Sequence, residues 1–220
     1  MIILPKFYEY DTNGFICQKE HDHFSYTVEY RMKQSTNLEM SFLRLGWISS
    51  FFSYNEMQDM DVVDVGCGSG IFVNHCYGKF RRIVGYDVVG ESITDKQLYE
   101  TLWDLVILSD VLEHFEDIEN LFKMKWKNVM LSFPETPKCN NFDELSKWRH
   151  FKPNEHLYYL DLVGIQKWLK KHDGVEVIGT SNFEDLIRKR WDKDKPNISS
   201  VLARQTKFHE KTFRNNSISK

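Results

Sequence analysis

The densest chemistry in the chain lies at 61–70, DVVDVGCGSG. There a β-branched run meets Gly66, Gly68 and Gly70 in alternation and passes into an apolar stretch, Ile71-Phe72-Val73. Without a Cβ, glycine lets a chain turn sharply and approach a ligand closely. A helix that opens after such a turn offers unpaired N–H groups and a positive dipole end to an anion. Strand, glycine turn and helix in that order therefore read as a cradle for an anionic group such as a ligand carboxylate. Asp64 stands two positions before the first glycine, and Asp87, followed by Val88, closes the run RRIVGYD. A carboxylate at the end of a neighbouring strand can accept hydrogen bonds from both hydroxyls of a ribose. The plainer employment for Asp87 is as a strand-end turn residue.

A second set of reactive types follows. Ser109, Asp110, Glu113 and His114 come after the apolar run 104–108, and Glu135 comes after 128–133. In doubly wound sheets the reaction face lies at the carboxyl ends of the strands, which nominates Asp110, Glu113, His114 and Glu135. His114 titrates near neutral pH, although a scaffold role on the turn it occupies is an equal reading. Residues 148–156, WRHFKPNEH, then bring His150, Glu155 and His156 together in a loop just before Tyr158 and Tyr159. Loops over a rigid face carry specificity. The spacing of these three residues matches no compact ligand pattern such as HExxH, so hydrogen-bonding or general-base work is expected and no metal. Cys17, His21 and His23 read as ordinary surface residues.

The elements that must position these groups can be traced in outline. Residues 1–36 alternate aromatic and polar types without a clean period and read as an irregular, aromatic-rich N-terminal cap. From Asn37, the spacing of Leu38, Phe42, Leu45, Ile48 and Phe52 predicts a helix with one buried stripe. Short β-rich runs at 61–65, 82–87, 104–108 and 128–133 alternate with helix-compatible sequence, including a helix over 116–125. Asp161 is placed to cap a helix through Lys171 that stops at Asp173-Gly174, and strands are expected at 175–178 and 198–202. Alternation of this kind implies an α/β fold with a doubly wound, mostly parallel sheet, spanning 37–205 and followed by a polar basic tail, 206–220.

Composition narrows the function classes. The chain has 220 residues, 41% hydrophobic and 28% charged, with four scattered cysteines that suggest neither disulfides nor a zinc site. No apolar run approaches the roughly 20 residues needed to cross a bilayer, and the first residues do not resemble a signal peptide, so a cytoplasmic protein is expected. The net charge of −3 hides an asymmetry: residues 188–220 hold ten Lys or Arg against three Asp or Glu, leaving −10 for residues 1–187. A basic terminal arm can neutralise phosphates, which keeps nucleic acid open as a partner.

Three segments carry a family resemblance. VVDVGCGSG, IVGYD and DLVILSDVLEHFED resemble the first, second and fourth motifs of class I, Rossmann-like S-adenosylmethionine-dependent methyltransferases. The later HFKPNEHLYYLDLVGIQKWLKKHDGVEVIG is similar to the terminal part of a branch that includes ubiquinone-biosynthesis-like O-methyltransferases and small uncharacterised enzymes. The third glycine of a dinucleotide fingerprint would fall at Ile71, so the pattern favours the methyl donor over NAD. The resemblance implies that Gly66, Cys67, Gly68 and Gly70 hold the methionine end of S-adenosylmethionine, with Asp64 bracing the loop or the amino group. Asp87 and Val88 would then serve the ribose, and Ser109 and Asp110 would line the methionine side. His114, His150, Glu155 and His156 would face a small-molecule acceptor of O- or C-methylation. The segment 88–103 is shorter than the family's usual helix, strand and adenine-contacting acid, which leaves Thr94-Asp95 as the adenine candidate. Two other readings stand beside this one: a non-catalytic module that binds the donor within a complex, and a nucleic-acid methyltransferase using the basic tail. Against the second, SDVLEH stands where an amino-methylating enzyme carries an N/DPPY-type motif.

Overall fold

The computed structural model describes residues 2–33, 37–90, 93–187 and 196–207. The segment read as an irregular cap contains regular structure. Tyr8–Tyr10 (β1) pairs antiparallel with Ile16–Gln18 (β2), and the Asp11 carboxylate holds the turn by accepting from the backbone N–H of Asn13 and Phe15. Val28–Lys33 forms a short helix, α1. Strands of three residues are too short for a period of two to show in sequence, which is why the aromatic spacing looked patternless.

From Asn37 onward the chain alternates helices and strands. Leu38–Ser49 (α2) and Tyr54–Gln58 (α3) precede Asp61–Val65 (β3), Ile71–His75 (α4), Arg82–Tyr86 (β4), Asp95–Glu100 (α5) and Leu102–Ser109 (β5). Lys125–Pro134 (β6), Phe142–Ser146 (α6), Tyr158–Tyr159 (β7), Leu162–Lys171 (α7), Val175–Ser181 (β8), Glu184–Ile187 (α8) and Ile198–Gln205 (β9) complete it. One sheet runs β4-β3-β5-β6-β9-β8, and a second joins β1, β2 and β7. The first four strands of the larger sheet are parallel, while β9 runs antiparallel to both β6 and β8. The α/β, mostly parallel architecture is therefore as expected. The chain steps from β3 to β4 on one side and then crosses back to β5 on the other, and this reversal opens a crevice at the carboxyl ends of β3 and β5.

Side-chain alternation sorts the core into two layers. Val63, Val65, Val106, Leu108, Val129 and Leu131 face a layer closed by Trp103, Trp126 and Trp168. Val62, Leu105, Ile107 and Met130 face the other layer, with Ile48, Phe52 and Phe72. Each buried indole is satisfied, by the carbonyls of Leu98 and Leu121 and by Glu119. Asp161 caps α7 by accepting from Gly164 N–H, as its sequence predicts.

Two local expectations are corrected. The buried side of α2 consists of Met40, Ser41, Arg44 and Ile48, while Leu38 and Phe42 are 53% and 60% exposed. The stripe is rotated because Arg44 turns inward to a buried ion pair with Glu184. The link between β5 and β6 is not a helix over 116–125 but two tight 3-10 segments, Leu112–His114 and Ile118–Lys123. Of the tail, Thr206 and Lys207 are pinned, by hydrogen bonds to Gly174 O and Asp173 respectively. Residues 188–195 and 208–220, which hold most of the basic excess, lie outside the described residues.

The N-terminal segment is joined to this core through Phe15, which is 0% exposed and sits so close to α7 that a Cβ on Gly164 would come within 2.4 Å of its ring. Phe15→Ala should therefore cost about 3–5 kcal/mol, the usual loss for a fully buried ring. Urea unfolding checks this; a loss below about 1 kcal/mol, as for exposed positions, would mean the segment is a detachable cap.

Candidate active site

The glycine turn is shaped by backbone bonds to the end of β4. Gly66 and Cys67 both donate to Tyr86 O, at 2.7 and 3.1 Å. Gly68 N donates to Asp87 Oδ2 at 3.0 Å, and the other oxygen accepts from Val89 N at 3.0 Å. Asp87 thus braces the loop, a task the sequence reading gave to Asp64. Gly66 has φ +71, and a Cβ there would lie 2.3 Å from Val111, so no other residue fits. Cys67 tucks its Sγ against Gly85. Gly70 (φ +77) is the N-cap of α4, a helix of five residues, so loop N–H groups matter more here than a helix dipole.

Asp110 lies across the crevice, beyond the end of β5, with φ +54, a conformation that carries strain for a residue with a side chain. Its amide is held by Ser132 O at 2.8 Å. Ser109 Oγ is buried without a hydrogen-bond partner among the described residues. Such an orphan acquires a partner when a polar ligand enters.

The His/Glu loop closes the opposite side. His150 is buried and its Nε2 is 3.2 Å from Asn197 Oδ1. Glu155 Oε1 accepts from Lys152 Nζ at 2.7 Å and from Tyr30 OH at 2.8 Å. His114 Nδ1 lies 2.7 Å from the Glu155 carbonyl and 3.1 Å from Tyr26 OH. A carbonyl can only accept, so Nδ1 carries the proton and Nε2 holds a free lone pair. The His114 and His156 rings meet edge to face, with centroids 4.7 Å apart. Both sets of residues line one cavity of about 990 Å³, at the upper end of small-ligand sites, which span roughly 300–1,000 Å³. Asp64, Gly66, Cys67, Gly68, Asp87, Val88, Ser109 and Asp110 lie along it, as do His114, His150, Glu155 and His156; Gly70 is not among its lining residues.

A methyltransferase-domain family model matches residues 42–177, more than half of the chain. This chain belongs to the methyltransferase-domain family. Among solved structures, an S-adenosylmethionine-dependent methyltransferase assignment from Listeria monocytogenes is similar at 13% identity and TM-score 0.51, over 76% of this chain and 100% of that one. The plantazolicin methyltransferase BamL, solved with a triazolic desmethylPZN analog and SAH, is similar at 12% identity and TM-score 0.53, over 82% and 90%. Magnesium protoporphyrin IX methyltransferase from Synechocystis PCC 6803, with bound SAH, is similar at 16% identity and TM-score 0.49, over 84% and 90%. No curated relative matches the chain. The fold is that of the Rossmann-like S-adenosylmethionine-dependent methyltransferases.

Several expectations about this methyltransferase are revised by the geometry. Thr94 caps α5 and Asp95 accepts from Tyr86 OH, and neither lines the cavity; Leu98 and Tyr99 do so instead. Glu135 faces Leu162 N–H with both oxygens, at 3.2 and 3.1 Å, and so stabilises the start of α7. Among the described residues, no metal-competent set includes Cys17, His21 or His23, and burial pushes the Cys17 thiol up to about 11. Tyr26, Tyr30 and Arg44 line the site although sequence reasoning passed over them. The aromatic density before Asn37 was the signal for the two tyrosines, without a period to say which rings turn inward, and Arg44 had none.

Burial pushes the Asp64 carboxyl from 3.8 up to about 7, with Arg44 opposing the rise and Asp87 adding to it. Burial likewise holds Glu113 well above the usual carboxylate range and lowers both His114 and His156. A carboxyl whose folded pKa exceeds its unfolded value favours the fold below the unfolded value, and that contribution is lost as pH climbs through the folded one. Between 3.8 and about 7, stability of the wild type should therefore fall relative to Asp64→Asn, which cannot ionise. Thermal melts across that range check it; parallel curves would refute it.

Arg44 Nε meets Glu184 Oε1 at 2.9 Å, the two residues being 7% and 0% exposed. Arg44→Met leaves Glu184 as a buried charge without its cation and should cost about 3–5 kcal/mol. Adding Glu184→Gln should return much of the loss, measured by urea unfolding of both variants.

Proposed function

We propose that this methyltransferase binds S-adenosylmethionine at the glycine loop and passes its methyl group to a small-molecule acceptor held beside the His/Glu loop. The observation that carries this reading is that the two constellations, more than 40 residues apart in sequence, line one cavity. The donor's sulfonium supplies an in-line displacement: the acceptor's electron pair forms the new bond to carbon as the carbon–sulfur bond breaks and a neutral thioether leaves.

The chain's own tasks are then binding and alignment. The turn at Gly66 and Gly68 offers backbone to the methionine end, and the unpartnered Ser109 hydroxyl offers it a hydrogen bond. Asp110 supplies negative charge for the donor's ammonium, and Asp64, near the end of β3, lines the same stretch of the cavity. Asp87 lines the cavity at the end of β4 while it holds the loop, and its carboxylate is placed to accept from ribose hydroxyls. Val88, Leu98 and Tyr99 give the adenine an apolar wall in place of an acidic contact. On the acceptor side His114 and His156 face the cavity, while Glu155 and His150 are tied by their own partners and position the loop.

A non-catalytic donor-binding module is the second reading, favoured by the absence of any described strand between β4 and β5. Turnover separates the two. SAH titrated by calorimetry should bind at one site, and Asp87→Ala should weaken it by about 1.5–3 kcal/mol, the worth of charge-assisted hydrogen bonds. No binding at millimolar SAH would sink both readings. With an acceptor in hand, His156→Ala should lower turnover about a hundredfold while SAH affinity holds.

A further inference from the structure

Glu113 is the most anomalous group in the cavity. It is 2% exposed, and neither carboxylate oxygen has a hydrogen-bond partner among the described residues. An isolated buried carboxylate costs several kcal/mol unless a cation or a proton accompanies it. Charge in the neighbourhood is unbalanced in the same sense: Asp110 and Glu155 add negative charge and Lys152 adds positive. The Lys152 ammonium is already bonded to Glu155 at 2.7 Å.

Two imidazoles share this space. His114 Nε2 is 4.0 Å from Glu113 Oε1, and one ligand atom from each of Glu113, His114 and His156 falls within 4.8 Å of the other two. Both rings are wired as metal ligands are. A ligating histidine donates its other ring N–H to a carbonyl or carboxylate, which fixes the tautomer and aims the free lone pair. His114 does this through Nδ1 to the Glu155 carbonyl, and His156 bonds to the backbone of His150. The rings stand at 88° to each other, so they approach a common point from different directions.

We propose that Glu113, His114 and His156 bind a divalent transition-metal ion, with its remaining positions open to the cavity for an oxygen donor of the acceptor. Two histidines and one carboxylate suit zinc, manganese or iron(II), and a three-residue set with open positions is the pattern of sites that bind substrate at the metal. Ligands on one ion at bonds of about 2.1 Å lie roughly 3–3.5 Å apart, so the three side chains draw inward by an ångström or so on binding. The usual sequence patterns miss the set because Glu113 and His114 are adjacent and His156 follows 42 positions later, brought back by the pairing of Leu157 N with Glu113 O at 2.8 Å. The ion deepens the acceptor-side reading, but its binding does not depend on methyl transfer.

The test uses untagged full-length protein, stripped with EDTA and titrated separately with Zn²⁺, Mn²⁺ and Co²⁺ by calorimetry, with Co²⁺ absorption as a report on its donors. One equivalent should bind in the micromolar range or tighter and raise Tm. Glu113→Gln keeps the side chain's shape, removes the buried charge and should stay folded, yet lose at least a hundredfold in affinity and the Tm rise. His156→Ala should behave likewise, whereas His172→Ala, just past the end of α7 and outside the cavity, should bind as the wild type does. The assignment is overturned if stripped wild type takes up none of the three ions at millimolar concentration, or if Glu113→Gln and His156→Ala bind them unchanged. SAH titrated in EDTA separates the two proposals: a stripped protein that binds SAH but no metal overturns the ion and leaves the donor site standing.

Discussion

Four acidic side chains converge beneath the donor end of the cavity, and Arg44 is the cation that makes their burial tolerable. Its guanidinium pairs with Glu184 and lies in the field of Asp110 and Asp64. Asp87 adds its charge to Asp64 from the end of β4. A single guanidinium cannot neutralise four carboxylates, and part of the imbalance is relieved by holding Asp64 neutral up to about pH 7. Because Arg44 comes from α2 and Glu184 from α8, the pair also clamps two helices far apart in sequence onto the same sheet face. The electrostatics of the site and the packing of the layer are therefore one constraint.

The acceptor end is governed by contacts between segments that are distant along the chain. Asn154, at φ +68, accepts from Gln18 Nε2 at 2.8 Å and donates its backbone N–H to Gln18 Oε1 at 2.8 Å. Tyr30 reaches Glu155, and Tyr26 reaches His114. The N-terminal residues thus form one wall of the cavity and hold the loop that carries His150 and His156. Loss of order in one would loosen the other, since neither segment is fixed by a long helix or strand of its own.

What could be read from the amino acids follows the same division. The glycine turn was legible because its geometry is local: three glycines, a preceding strand and an acid at the next strand end lie within 27 residues, and the turn's backbone conformation calls for glycine. Asp161 at the start of α7 was legible for the same reason, since capping is a contact over three residues. The inward turn of Arg44 was not, because its partner stands 140 positions away and nothing in the local pattern ranks Arg44 above Phe42 for burial. Glu135 was misread as facing the reaction because a strand-end carboxylate and a helix-capping carboxylate look alike until the third dimension places Leu162 beside it. The pairing of β2 with β7 likewise joins residues more than 140 positions apart.

The short connection from β4 to β5 shows how the donor end tolerates economy of structure. Along the chain only α5 is described between these strands, and among the described strands β4 stands at the end of the sheet, beside β3. An exposed strand edge invites pairing with other chains unless it is blunted. Here Arg82 stacks over Trp103 at 5.0 Å and Arg81 pairs with Asp61 at 2.9 Å, which puts two bulky cations at the start of that edge. At its other end Tyr86 bonds to Asp95, anchoring the first turn of α5 against the strand, and Leu98 and Tyr99 then form the cavity wall. On the proposed reading, an apolar wall would recognise the adenine ring by area and not by its donors and acceptors, so discrimination among purines should be weak and specificity would fall to the ribose and methionine contacts proposed for Asp87 and the glycine loop.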